Sequence, residues 1–403
     1  MLKEITVKRI EEPEFAEMRV AWNGILENSC TNEVFLLWEW IHAWWNVFRK
    51  PNRELFILAG IDNQGQLIGF APFYRENVSI LGIRYGKILK ICGDPETYPE
   101  HLDLFCRRDW EEIFVKAIFR YLKEQEGDWD CLDLRGLAES STLRKVWIQG
   151  SSSWTGLLWD WRSETNSPYL ETTGSFREYL NSFSRKKRYN LLRTRKLLSE
   201  QKDLETRELT APQEIEKYYE TLVSLHAERA KRKGIRSTFT KENVGVFHKT
   251  LIQALLNKEK VAFTILYKKK TPLAASYCLH HNRKCYYYQS GISAEGEKCS
   301  AGLVLLSWMV EKCFNEGFLE FDFLQGSEEY KKYWTNKSRK SLSLEVDKGK
   351  GDWKLARMIY DYQKKITMAR WKIRNILEAG RQDKSSSKRE KQSREISPPG
   401  DRR

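Results

Sequence analysis

Read for hydrophobic period, the chain falls into two stretches built on one plan. In the first, Val34 to Phe48 (VFLLWEWIHAWWNVF) is a tryptophan-dense, helix-like run. LFILAGI and QLIGFAPFY follow as two short strands, joined at Asp62-Asn63-Gln64-Gly65, a sequence suited to a hairpin turn. β-like runs continue to Cys92. A helix is predicted from about Asp109 to Glu124, then a strand at Asp130 to Gly136 and another short helix.

The second stretch repeats this order. A helix is predicted near Ser175, where Ser175 and Glu178 have capping-box spacing. A longer one, EIEKYYETLVSLHAERAKRKG, ends at Gly234, and a third covers Asn243 to Leu256. Three strands come next, VAFTILY, PLAASYCLHH and KCYYYQSGI. The helix from Ala301 to Glu316 stops at Gly317, a helix-ending residue. The strand Leu319 to Leu324, the helix SEEYKKYW and the strand SLSLEV complete the plan. Gln66 to Ala71 corresponds to Thr271 to Ser276, and Leu132-Asp133-Leu134-Arg135-Gly136 to Phe321 to Gly326 with a one-residue offset. The match suggests an old duplication of one α/β unit. Beyond it, residues 351–379 read as an amphipathic helix with Leu355, Ile359, Tyr362, Ile366, Ile373 and Ile376 near one face, and 380–403 as a polar tail without a core.

Composition narrows the class. With 41% hydrophobic and 31% charged residues over 403 positions, the chain is globular. It lacks the run of about 18 apolar residues that a membrane helix needs, and acids occupy the place of a signal-peptide core, so a cytoplasmic location is expected. The eight cysteines form no CxxC pair and read as reduced core thiols, so no metal is expected. The net charge of +14 is confined to three segments: Ser184–Glu200 carries +6, Asp352–Ala379 carries +4 and Gly380–Arg403 carries +4. Charge so localised points to particular sites for anions rather than to a general affinity for them.

The densest chemistry lies in DFLQGSEEYKKYW, Asp322 to Trp334: an acid at a strand end, a glycine turn, then Tyr330-Lys331 at a helix start. Asp322, Phe323, Gly326, Tyr330 and Lys331 resemble the D-F-x-x-G-x-x-x-Y-K signature of the CelD/BcsL-type acyltransferases, which carry a BioF2-like GNAT domain and are associated with cellulose and exopolysaccharide biosynthesis. Ser175 to Leu198 and Leu225 to Gly234 are similar to that family's basic and His/Arg helices. More distantly, the paired halves resemble FemAB-type aminoacyl transferases. These resemblances imply an α/β fold of two GNAT-like domains in tandem, with mixed central sheets flanked by helices: residues 1–168 degenerate, 169–350 catalytic. They also imply an acyl-CoA, acetyl-CoA in the simplest case, lying where two central strands splay apart.

In that frame Ser300-Ala301-Gly302 opens the helix that meets the pyrophosphate, with Ser300 as cap and Gly302 allowing close approach. The family's Ser-Pro-Gly has lost its proline here. Tyr288 and Gln289 on the preceding strand complete the expected cofactor contacts. His226 is the candidate base, Tyr330 the donor to the departing thiolate, and Asp322 a partner for Lys331 or for substrate. Lys331 and Arg188 are candidates to hold a phosphate or carboxylate, and Ser184, Asn190, Arg229 and Gly326 to line the acceptor side. His101 and Asp103 are placed in a cleft between the halves, and His280 and His281 at an exposed turn. The first half lacks a counterpart of Tyr330-Lys331 and is expected to be scaffold or one wall of the acceptor cleft.

Three functions stay open. One is acyl-CoA-dependent transfer to an amine of a sugar or glycan precursor in polysaccharide or envelope assembly. The second keeps the fold and takes aminoacyl-tRNA as donor. The third is a non-catalytic module that docks on a synthase complex or an anionic membrane surface through the basic helix at 351–379.

Overall fold

The computed structural model describes residues 3–80, 83–125, 127–150, 157–234, 237–326, 328–348 and Met358. The amphipathic helix and tail expected after residue 350 therefore lie outside the described residues, Met358 apart. The chain separates into two compact units, one of residues 1–77 and 87–348, the other of 78–86 and 349–403; the cavities and their linings lie in the first.

The first half runs β1 (Ile5–Ile10), α1 (Glu12–Glu17), α2 (Arg19–Glu27), α3 (Trp38–Phe48), β2 (Arg53–Asp62), β3 (Leu67–Ile80), β4 (Ile83–Ile91), β5 (Phe105–Cys106), α4 (Glu111–Glu124), β6 (Cys131–Ala138) and α5 (Thr142–Gln149). The second runs β7 (Leu158–Glu171), α6 (Phe176–Asn181), α7 (Arg185–Ser199), β8 (Leu204–Glu208), α8 (Ile215–Arg232), α9 (Glu242–Leu255), β9 (Val261–Lys268), β10 (Thr271–His281), β11 (Lys284–Ile292), α10 (Ala294–Lys298), α11 (Ala301–Asn315), β12 (Glu320–Asp322), α12 (Glu329–Trp334) and β13 (Ser338–Asp347). Local chemistry sets several boundaries. Asp62 Oδ1 accepts the amides of Gln64 and Gln66, and Gly65 takes φ +78°, which closes the β2–β3 hairpin. Ser175 and Glu178 form the expected capping box.

The strands join in one mixed sheet, ordered β1-β2-β3-β4-β6-β13-β7-β12-β11-β10-β9-β8, with β5 against β3. Most neighbours are antiparallel; β4 with β6 and β11 with β12 are parallel. This is the layered α/β architecture expected, two GNAT-like halves in tandem. The boundary at residue 168 falls inside β7, however, because β13 from the end of the second half pairs with β7 along one edge and with β6 of the first half along the other. Each half thus supplies edge strands that the other needs.

The halves also share a core. Trp40 of α3 packs edge-on against Phe247 of α9 at 5.1 Å and near Tyr288 of β11 at 5.7 Å, and Phe35 meets Tyr286 at 5.7 Å. The tryptophan-rich helix of the sequence is buried for this reason: it faces helices and strands of both halves.

Candidate functional site

Parallel pairing between β11 and β12 lasts three residues, from Lys284–Glu320 to Tyr286–Asp322. Past Asp322 the chain turns away: Phe323 donates its amide to Pro168 O at 3.0 Å and Gly326 to Asn166 O at 3.2 Å, both on β7. Leu324 at φ +56° and Gly326 at φ +133° make that turn. Residues 287–292 of β11 are left beside an opening, flanked by two cavities that share Tyr287, Ser290 and Tyr330.

The cavity on the α11 side measures about 230 Å³ and is lined by Gly302, Leu303, Leu306 and Trp334, with Arg229 and Lys233 at its polar end. The first-turn amides of α11 point out of the helix without intrahelical partners, a disposition that suits a phosphate. Arg229 and Lys233 form no ion pair among the described residues. Ser300 does not cap: it sits at φ +57° with no side-chain bond to the helix, while Ala301 is fully buried. Gly302 does allow close packing, since a Cβ there would lie 3.0 Å from Ile292 Cδ1. The donor set therefore fits the phosphorylated end of an acyl-CoA, with backbone amides and two side-chain cations available.

The second cavity, about 170 Å³, is lined from the second half by Gln289, Gln325 and Lys331 and from the first by Thr97, Tyr98 and Glu100. The first-half residues arrive on the segment 92–104. In the first half this segment takes the place that β4 vacates beside β6: Leu102 pairs with Leu137, its amide bonds Gly136 O at 2.9 Å, and a Cβ on Gly136 would meet Pro99 O at 2.8 Å. The first half fills its own slot with the loop that walls the slot of the second. Of the two readings of the first half, scaffold or wall, this favours the wall.

Beneath the cavity lies a buried ionic network. His101 Nε2 donates to Asp322 Oδ2 at 2.7 Å, Arg339 reaches the same oxygen at 3.2 Å, and the Leu324 amide bonds Oδ1 at 2.8 Å. Burial alone would raise the Asp322 carboxyl, but His101 and Arg339 overcome it and hold the group at about 2. Against the effect of its burial, Asp322 in turn raises the His101 imidazole, with Glu33 and Glu100 adding to it. Glu33 accepts from Lys284 and from the Tyr286 hydroxyl next door.

Against the expectations from sequence, Tyr330 lies on the wall common to both cavities, its hydroxyl without a protein hydrogen-bond partner among the described residues. Burial pushes its phenol well above the ordinary tyrosine range, so it stays protonated. Lys331 is not available for a phosphate: 3% exposed, it donates to Leu324 O (3.1 Å), Gln325 O (2.6 Å) and Glu328 Oε2 (3.0 Å), and so pins the turn around Gly326. Asp322 pairs with His101 and Arg339 instead of Lys331. Tyr288 lines the second cavity, but its hydroxyl is given to Thr97 O at 2.7 Å. Gln289 folds its own carbonyl onto the Ser290 amide at 2.9 Å.

His226 lines neither cavity. It shares a 2.7 Å hydrogen bond with Ser237, and burial together with Arg229 lowers its basicity. Ser184 caps α7 and borders a separate groove, Arg188 bonds Asn181 Oδ1 at 2.7 Å, and Asn190 is exposed; none of the three reaches the opening. Asp103 is structural, accepting the amides of Thr142 and Leu143 at the start of α5. His281 is buried, not at an exposed turn, bonded to Lys260 at 2.7 Å and to Asn32. The cysteines are all free, and no group among the described residues could hold a metal ion. Reasoning from sequence singled out His101 in YPEHLDLF but missed its neighbour Glu100, because nothing local shows that this loop crosses to the other half.

Residues 185–332 match the family model described as an acetyltransferase (GNAT) domain. Among solved structures the chain is similar to FemX, at 10% identity and a TM-score of 0.59, covering 84% of this chain and 96% of that one. It is also similar to a conserved protein of unknown function from Bacteroides thetaiotaomicron (12%, TM-score 0.52, covering 85% and 99%) and to L-PGS from Bacillus licheniformis (11%, TM-score 0.51, covering 84% and 95%). No curated protein sequence matches. No helix among the described residues is long and apolar enough to cross a membrane.

Proposed function

We propose that the protein is an acyltransferase in which a CoA thioester lies along the cavity beside α11 and an amine enters from the cavity beside the β12 turn. The observation that carries this reading is Tyr330: a protonated phenol, without a hydrogen-bond partner among the described residues, on the wall the two cavities share. A thiolate leaving a tetrahedral intermediate there would find its proton at once. Backbone amides of β11 beside the split could bind the oxyanion once Gln289 releases the Ser290 amide it now holds. The acceptor class, a sugar or glycan precursor, rests on the sequence resemblance.

A second reading takes aminoacyl-tRNA as donor and draws on α7, whose basic side chains are largely exposed. Thermal shift with acetyl-CoA separates the two. At 100 times its dissociation constant a ligand adds about 2.7 kcal/mol, a readily measured rise in melting temperature. Absence of any shift or calorimetric signal with acyl-CoAs refutes the proposal, and activity abolished by RNase establishes the second reading.

A further inference from the structure

The acceptor cavity contains two charges that cancel and one that does not. Lys331 and Glu328 are paired at 3.0 Å, and the other donors of Lys331 go to carbonyls. Glu100, 2% exposed, receives only neutral donors: the Ser167 hydroxyl on one oxygen and the Gln325 amide on the other. Its sequence neighbour His101 is committed to Asp322. Neutral hydrogen bonds satisfy lone pairs but leave the charge; His101, which Asp322 and Arg339 also engage, offsets it only in part, and an under-compensated buried carboxylate is costly. The remaining groups at the cavity, among them Tyr98, Gln289 and Tyr330, carry no positive charge at neutral pH. At about 170 Å³ the space holds five or six waters' worth of ligand at ~30 Å³ each, enough for an amine and its first few substituent atoms.

Resting on the acyl-transfer reading, we propose that Glu100 receives the acceptor as an ammonium ion and takes its proton, so that the acceptor is a primary amine that is cationic in solution. The first half then contributes the base and the second the acid. Glu100 accepts one proton from R–NH3+, freeing the nitrogen lone pair. That pair forms the C–N bond at the thioester carbonyl, and the C–S bond breaks as the intermediate collapses. The thiolate takes the Tyr330 proton, and the surplus proton on nitrogen restores the phenol. Glu100 returns its proton to solvent, so the sum is ammonium plus thioester giving amide, thiol and one proton. Burial, with Asp322 nearby, outweighs the opposing effect of His101 and raises the Glu100 carboxyl, which brings its basicity closer to the working pH.

The test uses the full chain, acetyl-CoA and two matched probe pairs: glucosamine against glucose, and ethanolamine against ethylene glycol, with thiol release as readout. Acetylation of the amines and not of the neutral probes is expected. Glu100→Gln is expected to lower kcat/KM for the amines at least 100-fold, to erase the acid limb of the pH profile and to leave acetyl-CoA binding intact; Glu100→Asp should restore part of the rate. Should the glutamine variant fail to fold, Ser167→Ala serves instead. Loss of that hydroxyl raises the Glu100 carboxyl further, so the acid limb moves to higher pH. Equal turnover of neutral probes, no amine turnover by a protein that binds acetyl-CoA, or an unmoved acid limb overturns the inference. Failure to bind acetyl-CoA fails the underlying reading instead.

Discussion

Replacing Asp322 by Asn tests the network beneath the site, and the structure sets the size of the effect. Asp322 is completely buried and gathers three donors: His101 at 2.7 Å, Arg339 at 3.2 Å and the Leu324 amide at 2.8 Å. An Asn oxygen can keep the Leu324 amide, but its NH2 then opposes the donors of His101 and Arg339. Breaking a buried pair from one side costs about 3–5 kcal/mol, and two cations are orphaned here, so the upper part of that range is expected. Equilibrium urea denaturation of wild type, Asp322→Asn, His101→Gln and the double variant gives the coupling energy directly.

Protonation adds a second signature. Asp322 is lowered from 3.8 to about 2, so its contribution is present above pH ~4 and is lost as pH falls toward 2. His101 is raised above 6.5, so its contribution is complete below that pH and is lost as pH climbs through the folded value. The stability gap between wild type and Asp322→Asn should therefore be widest from about pH 4 to 6.5 and narrow on both sides. A gap under 1 kcal/mol, additive single variants, or a gap flat with pH would refute the reasoning.

Tyr330→Phe should lower turnover by about 10²–10⁴ with melting temperature and acetyl-CoA affinity unchanged, measured by steady-state thiol release. Gly296→Ala places a Cβ 2.2 Å from Leu273 O, a backbone atom that cannot swing aside; α10, which leads directly into α11, must shift, and a loss of about 1–3 kcal/mol in denaturation is expected, with weaker acetyl-CoA binding by calorimetry. Arg188→Ala removes one hydrogen bond to Asn181 away from both cavities, so kcat/KM with acetyl-CoA should stay within a factor of two.

Much of the fold was legible in the chain. The β9–β10–β11 meander, the capping box at Ser175 and a strand around Phe321 follow from period and caps, because such signals are local, although β12 stops at Asp322, two residues short of the Leu324 expected. The repeated order of elements pointed to two like halves. What stayed hidden depends on long-range pairing: nothing in SLSLEV says that this strand lies between β6 and β7, and nothing around Glu100 says that its loop leaves its own half. Lys331 shows the same limit at one residue. Its sequence position suggests a ligand for anions, and only the fold reveals that two carbonyls and Glu328 already hold it. His226 misled for the opposite reason, since a histidine among helical cations reads alike whether it faces a cleft or packs beside Phe239.

The place of β13 bears on how the molecule is made. Residues 338–347 bridge β6 and β7, so a ribosome that has released the first 330 residues has produced two sheets, each with a raw edge. The first half cannot finish folding while the second is being synthesised, as a beads-on-a-string protein would. Pairing of β13 with strands 170 to 216 positions earlier must come late, and contacts so distant in sequence close slowly. Until then β6 and β7 are open to pairing with other chains, and the nascent protein depends on whatever shields those edges.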